Sequence, residues 1–288
     1  MKKAESILYF FLSLFLAACV HDHPEGAGSR EISLEWQSER PDELAEIQLW
    51  VFGNDGILKE STVFATLDEA RAARLTVEAE PCTLVAATCQ ESHYSFTARP
   101  GETTLEGLLI VLNDASSNPP HIHSGVANVA ATAQTAVVTL VRVLSELQFT
   151  ITDVPREIVK IRATVLNCAR GFHPGVNRLG GEATAALLGE VVPADGQAVF
   201  PPRRLMPVVP ALQNRAATET GYDTRMAIEM TCADGRTLTF EVAAPPMKNN
   251  GSYAPVARYG QFEKDVVLTL TDINGWGASD TVEGDIEL

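Results

Sequence analysis

The side chains that could do chemistry are five cysteines, Cys19, Cys82, Cys89, Cys168 and Cys232, and six histidines, with close pairs at His21/His23 and His121/His123. Two imidazoles two residues apart share one face of an extended segment and can share a metal. Neither pair has a third ligand at a fixed spacing, and both lie in Pro- and Gly-bearing stretches, so they read as solvated and no metal site is expected. Cys82 and Cys89 are not at a zinc-ligand spacing. The four cysteines beyond Cys19 permit disulfides in an exported chain, with Cys82–Cys89 and Cys168–Cys232 as one of three connectivities and buried free thiols as the alternative. Ser124 stands in His-Ser-Gly-Val, which is not a nucleophile elbow. No phosphate-binding loop, dinucleotide fingerprint or His-Glu-x-x-His is present. Acidic neighbours such as Asp68-Glu69 and Glu263/Asp265 read as exposed turn or strand faces. Neither an enzyme nor a cofactor is expected.

Cys19 has a different context. Lys2 and Lys3 precede a mostly apolar run over residues 7–18, a charged-then-apolar build too short to span a bilayer comfortably. The run closes on Leu16-Ala17-Ala18-Cys19, which resembles the lipobox of bacterial lipoproteins. The resemblance implies that residues 1–18 are a signal peptide and that Cys19 becomes a diacylated N-terminus. Acyl chains bury CH₂ groups at roughly 0.8 kcal/mol each, and stable anchoring takes more than one chain. Loss of Lys2, Lys3 and Glu5 moves the formal charge from −15 to −16. Nucleic acid and anionic membrane surfaces are thereby poor partners for the folded part. No second apolar run approaches transmembrane length.

The elements that must carry these residues are strands. Residues 19–30 are polar with Pro and Gly and read as a flexible spacer. Ile32, Leu34 and Trp36 alternate with polar residues, as do Ile47, Leu49 and Val51 before the turn Asn54-Asp55-Gly56. Leu75, Val77 and Ala79 predict another strand, followed by residues 83–88. In residues 104–112 the spacing of Leu105, Leu108, Leu109 and Leu112 predicts a short helix with Thr104 as N-cap. Residues 113–125 read as a long loop, and 126–143 return to strand composition. Past a seam at 140–146, Leu147, Phe149 and Ile151 alternate, then Val159, Ile161, Ala163 and Val165, with residues 169–181 as a glycine-bearing loop. Met226, Ile228 and Met230, the turn at Asp234-Gly235, and Leu238, Phe240 and Val242 predict a hairpin. Val266, Leu268 and Leu270 predict the last strand. Short alternating strands in both halves imply an all-β chain of antiparallel sandwiches.

Three stretches together resemble the fimbrillin-associated anchor lipoproteins of Bacteroidales, minor subunits at the base of Porphyromonas-type (type V) fimbriae. They are the lipobox at Cys19, the strand-turn Ile47-Gln48-Leu49-Trp50-Val51-Phe52-Gly53-Asn54-Asp55-Gly56-Ile57-Leu58, and the mid-chain Val141-Arg142-Val143-Leu144-Ser145-Glu146-Leu147-Gln148-Phe149-Thr150-Ile151. Pro81-Cys82-Thr83-Leu84-Val85-Ala86-Ala87-Thr88-Cys89 departs from the family, which tends to an aromatic-rich strand there. The resemblance implies two transthyretin-like β-sandwich domains in tandem, at 31–144 and 145–288. It further implies attachment of fimbrial stalk subunits to the outer membrane by an added β-strand. With Cys19 fixed in lipid, the free C-terminal tail, with Val282, Ile286 and Leu288, is the candidate strand to exchange. Two alternatives have sequence features of their own. A surface glycan-binding lipoprotein would use Trp36, Trp50 or Trp276. A stalk or tip fimbrillin would be cut free by an Arg-directed protease at Arg30 or Arg40.

Overall fold

The computed structural model describes residues 28–206, 224–244, 247 and 250–262. Cys19 with its leader, the strand expected at Val266, Leu268 and Leu270, Trp276, and the tail residues Val282, Ile286 and Leu288 lie outside the described residues.

The first half carries β1 (Ser29–Ser38), β2 (Ala45–Phe52), β3 (Leu58–Thr66), helix α1 (Leu67–Ala72), β4 (Arg74–Glu78), β5 (Cys82–Thr88), β6 (Tyr94–Phe96), β7 (Ile110–Leu112), β8 (His123–Val129) and β9 (Thr135–Arg142). Seven of these strands follow one path, β3-β2-β5-β8-β9-β1-β4. β8 and β9 pair only at His123↔Arg142 and Ser124↔Val141, so the path splits beyond that point into two layers, β3-β2-β5-β8 and β9-β1-β4. The predicted alternations meet between them. Ile32, Leu34 and Trp36 of β1 bury with Ile47, Leu49 and Val51 of β2, and with Leu84, Ala86 and Val138. Each such aliphatic side chain contributes about 1.5–3 kcal/mol on leaving water. β1 runs parallel to β9 and antiparallel to β4, so one join in this sandwich is parallel. Helix α1 had no counterpart in the sequence reading. Thr66 Oγ1 accepts from the Glu69 N–H at 3.2 Å, and the Trp36 indole donates to the Ala70 carbonyl at 3.0 Å, which closes the end of the sandwich.

The second half carries β10 (Ser145–Leu147), β11 (Thr150–Thr152), β12 (Ile158–His173), β13 (Arg178–Val191), β14 (Ala198–Val199), β15 (Arg203–Leu205), β16 (Thr224–Cys232), β17 (Thr237–Ala244), β18 (Ser252–Tyr253) and β19 (Val256–Arg258). β12 is the spine. β16 then β17 lie beyond one edge, β13 lies on the other, and β7 with β6 pair further along. Two small sheets, β15-β10-β18 and β14-β11-β19, cover the core of Phe149, Ile151, Ile161, Ile228 and Phe200. The predicted hairpin is β16–β17, in which Met226, Ile228 and Met230 lie opposite Val242, Phe240 and Leu238.

Three local expectations are corrected. Residues 104–112 are not a helix. Thr104 Oγ1 caps one turn by accepting the Gly107 N–H at 2.9 Å, and the chain then enters β7. Leu108, Ile110 and Leu112 are buried in alternation while Leu109 is half-buried, so pairing with β6 and β12 chose period two over period 3.6. The loop expected at 169–181 is largely strand, because β12 runs on to His173 and β13 begins at Arg178. Gly171 permits this, since a Cβ there would sit 3.1 Å from the Ile110 carbonyl of β7. The loop expected at 113–125 ends early, at the start of β8.

The two halves share a third core. The outer-face residues Trp50, Phe52, Val85 and Ala87 of β2 and β5 pack with Ile110, Leu112, Val143, Phe172 and Met206.

Candidate subunit-contact site

β1 is the element on which subunit joining turns, because an N-terminal strand can be kept or removed. It lies inside its layer, hydrogen-bonded over Ser33–Ser38 to β9 and over Ser29–Ser33 to β4. Arg30, expected in a spacer, is in β1 itself. Its guanidinium donates to the Ala133 carbonyl and, at 3.4 Å, to the Glu80 carbonyl. Arg40 is half-buried and is followed by Pro41, which opens a single 3₁₀ turn, Pro41–Glu43.

That turn is clamped to the sandwich. Glu43 accepts from Arg142 Nε at 3.1 Å and Nη2 at 2.5 Å, a two-point contact to a guanidinium only 5% exposed. His123, facing Arg142 where the two layers part, brings Nε2 to 3.5 Å from Glu43 Oε2. That distance is beyond a hydrogen bond, and the His123 side chain is 2% exposed. Burial pushes the His123 imidazole down to about 4, against the pull of Glu43, so it is neutral at pH 7 and the contact is not an ion pair there. Burial and the cations Arg204 and Arg142 push His121 down to about 3. The rings stand 6.2 Å apart. Of the pair expected to be solvated, His123 is buried and His121 half-buried, because β8 begins at His123 and draws it under the turn. Among the described residues no group of three or more His, Cys, Asp or Glu is placed to hold a metal.

Of the two states the sequence leaves open for the other four cysteines, the structure shows free thiols. Cys82, Cys89, Cys168 and Cys232 are all buried free thiols. Cys82 opens β5 and Cys89 directly follows it, so seven steps of about 3.3 Å each separate their Cα atoms. Cys232 pairs with Ile158, ten residues along β12 from Cys168. Both separations far exceed the roughly 7 Å Cα limit for a bridge. Burial raises the Cys89 and Cys168 thiols to about 12. The aromatic surface considered for a glycan is also absent among the described residues. Trp50 is fully buried, edge-on to Phe96 with centroids 5.1 Å apart, and Trp36 is 8% exposed. Trp50 is out of phase with Ile47, Leu49 and Val51 because its face of β2 meets the third core rather than water.

Among the described residues β3 and β4 form the two ends of the first sheet path, and β17 is an end of the second. Such edges carry unpaired N–H and C=O groups, the raw material of strand addition. Edge availability was not legible in the sequence, since alternation tells which face is buried and not which neighbour is missing. No helix among the described residues is long and apolar enough to cross a membrane.

No protein-family model and no curated protein sequence matches the chain. Solved structures do. The fimbrial anchor protein Mfa2 from Porphyromonas gingivalis superposes with a TM-score of 0.59 at 16% identity, covering 86% of this chain and 98% of that one. A Bacteroides thetaiotaomicron protein described as a candidate polysaccharide-binding protein (DUF1812) gives 0.56 at 14% identity, covering 85% and 96%. A Bacteroides eggerthii protein assigned as a candidate cell adhesion protein gives 0.52 at 16%, covering 92% and 93%. At these identities the likeness is one of fold, extending over nearly all of each chain.

Proposed function

We propose that this chain is a fimbrial anchor subunit, held on the outer membrane by lipid at Cys19 and joined to a stalk subunit by β-strand addition. The observation that carries this reading is the placing of β1 inside its layer, paired with both β4 and β9. A stalk subunit released by an Arg-directed protease must be cut at Arg30 or Arg40. At Arg30 the backbone is in register with Val77 of β4. At Arg40 the scissile bond would be to Pro41, whose nitrogen carries no N–H and whose ring crowds the site. With both positions poor substrates, the chain from β1 back to Cys19 stays whole and the tether holds. The fold shared with Mfa2, a fimbrial anchor, supports the same reading. The division at 31–144 and 145–288 is retained as the domain proposal, with β6 and β7 lent to the sheet of the second domain.

A glycan-binding role draws support from the Bacteroides thetaiotaomicron neighbour. Trp36 and Trp50 are buried, so neither offers a stacking surface for a sugar. The C-terminal tail remains the proposed exchanging strand, since the N-terminus is committed to lipid.

The test is a pair of variants in the native cell. Fatty-acid labelling is expected in the wild type and lost in Cys19→Ala. Deletion of residues 281–288 is expected to leave labelling intact and release fimbriae into the medium. Equal labelling of Cys19→Ala would reject the lipid anchor. Cell-attached fimbriae in the deletion would move the contact to an edge strand.

A further inference from the structure

A groove of about 520 Å³ lies over the outer face of β2 and β3, walled by the loop that carries Gln90, Glu91 and Ser92. Three carboxylates, Glu46, Glu69 and Glu91, line it, and no lysine or arginine does. Gln48, 5% exposed, also lines it.

The rim of the groove is a strand edge. β3 pairs with β2 alone among the described residues. Glu69 accepts the Ala65 N–H at 2.9 Å, so residues of that phase turn their backbone away from β2. By the alternation of an antiparallel ladder, Val63 and Ser61 do the same. Val63 is also 54% exposed and its side chain lines the groove. An extended chain laid along β3 would bond to the Val63 backbone, and its residue opposite Val63 would point into the groove. Strands lie about 4.8 Å apart, so a lysine or arginine there spans β3 and brings its charge to Glu46, Glu91 and the Gln48 amide.

We propose that β3 and this groove form a docking site for an extended segment of a partner protein bearing lysine or arginine opposite Val63. Charge complementarity chooses a basic strand over an acidic or neutral one, and the edge of β3, unpaired among the described residues, chooses a polypeptide over a small cation. Capture here depends neither on lipidation nor on the C-terminal tail.

The test uses the full mature chain and a dye-labelled, end-blocked (Thr-Lys)₅ peptide, with binding followed by fluorescence anisotropy in 0.15 M salt. Saturable binding is expected, weakened about tenfold in Glu46→Gln/Glu91→Gln, which removes the two carboxylates that the incoming cation reaches. Val63→Pro, which removes the edge N–H, is expected to abolish it. Should Val63→Pro fail to fold, the double glutamine variant still decides, because both side chains are exposed. The same loss in Glu35→Gln/Glu182→Gln, far from the groove, would show diffuse attraction to an acidic protein and overturn the site. Equal binding of (Thr-Glu)₅, or displacement of the peptide by lysine amide at equal concentration, would overturn it as well.

Discussion

Acidification from pH 7 to pH 5 is expected to weaken the fold through one identifiable side chain. His123 is 2% exposed beneath the Pro41–Glu43 turn, where burial and then Arg142 raise the cost of a positive charge and Glu43 lowers it. Its ordinary value of 6.5 falls to about 4 in the folded protein. Between these values the unfolded chain binds the proton and the folded chain does not. The stabilisation is therefore complete above pH 6.5 and is lost as the pH falls toward 4. At pH 5 the loss covers about 1.5 pH units at 1.36 kcal/mol each, or about 2 kcal/mol. His121 shifts the same way and adds a smaller amount, being partly exposed. Glu146, raised by burial, acts in the opposite sense. The lowered carboxyls of Asp55, Asp114 and Asp234 lose their contribution only at more acid pH, since they start from 3.8. Urea unfolding of the mature chain at pH 7 and pH 5 measures the difference directly. In His123→Leu, similar in volume and unable to titrate, the difference should shrink by about 2 kcal/mol. The same pH dependence in wild type and His123→Leu would refute the assignment.

Glu43→Gln leaves the Arg142 guanidinium buried without its carboxylate, and a loss of about 3 kcal/mol is expected by urea unfolding, the low end for a buried pair because Glu43 is 26% exposed. Trp50→Ala empties the shared core of a fully buried indole and should cost about 3–5 kcal/mol, read as a drop in unfolding midpoint in both halves together. Iodoacetamide at pH 8 should leave Cys82, Cys89, Cys168 and Cys232 unlabelled in the native protein and label all four in denaturant, while reducing agent leaves the melting temperature unchanged.

The sequence by itself determined the strands whose signal is local. The β16–β17 hairpin needed only its alternation and the Asp234-Gly235 turn, and the register followed. The same holds for β1 and β2, where one apolar face must leave water whatever lies opposite. Tertiary structure decided the rest, because it chooses among locally equivalent states. Leu108-Leu109-Ile110-Val111-Leu112 fits a helix or a strand, and the open edge of β12 selected the strand. His121 and His123 look solvated beside their prolines, yet the parting of two layers at His123↔Arg142 buries His123. Trp50 has the phase of a surface residue, and its cover comes from Phe96 and the third core, assembled from segments distant in the chain. Four cysteines cannot declare whether they bridge, since the 3.3 Å rise of a strand keeps chain neighbours apart and only register could bring distant ones together. The parallel pairing of β1 with β9 joins residues about a hundred positions apart, a closure that no local pattern encodes.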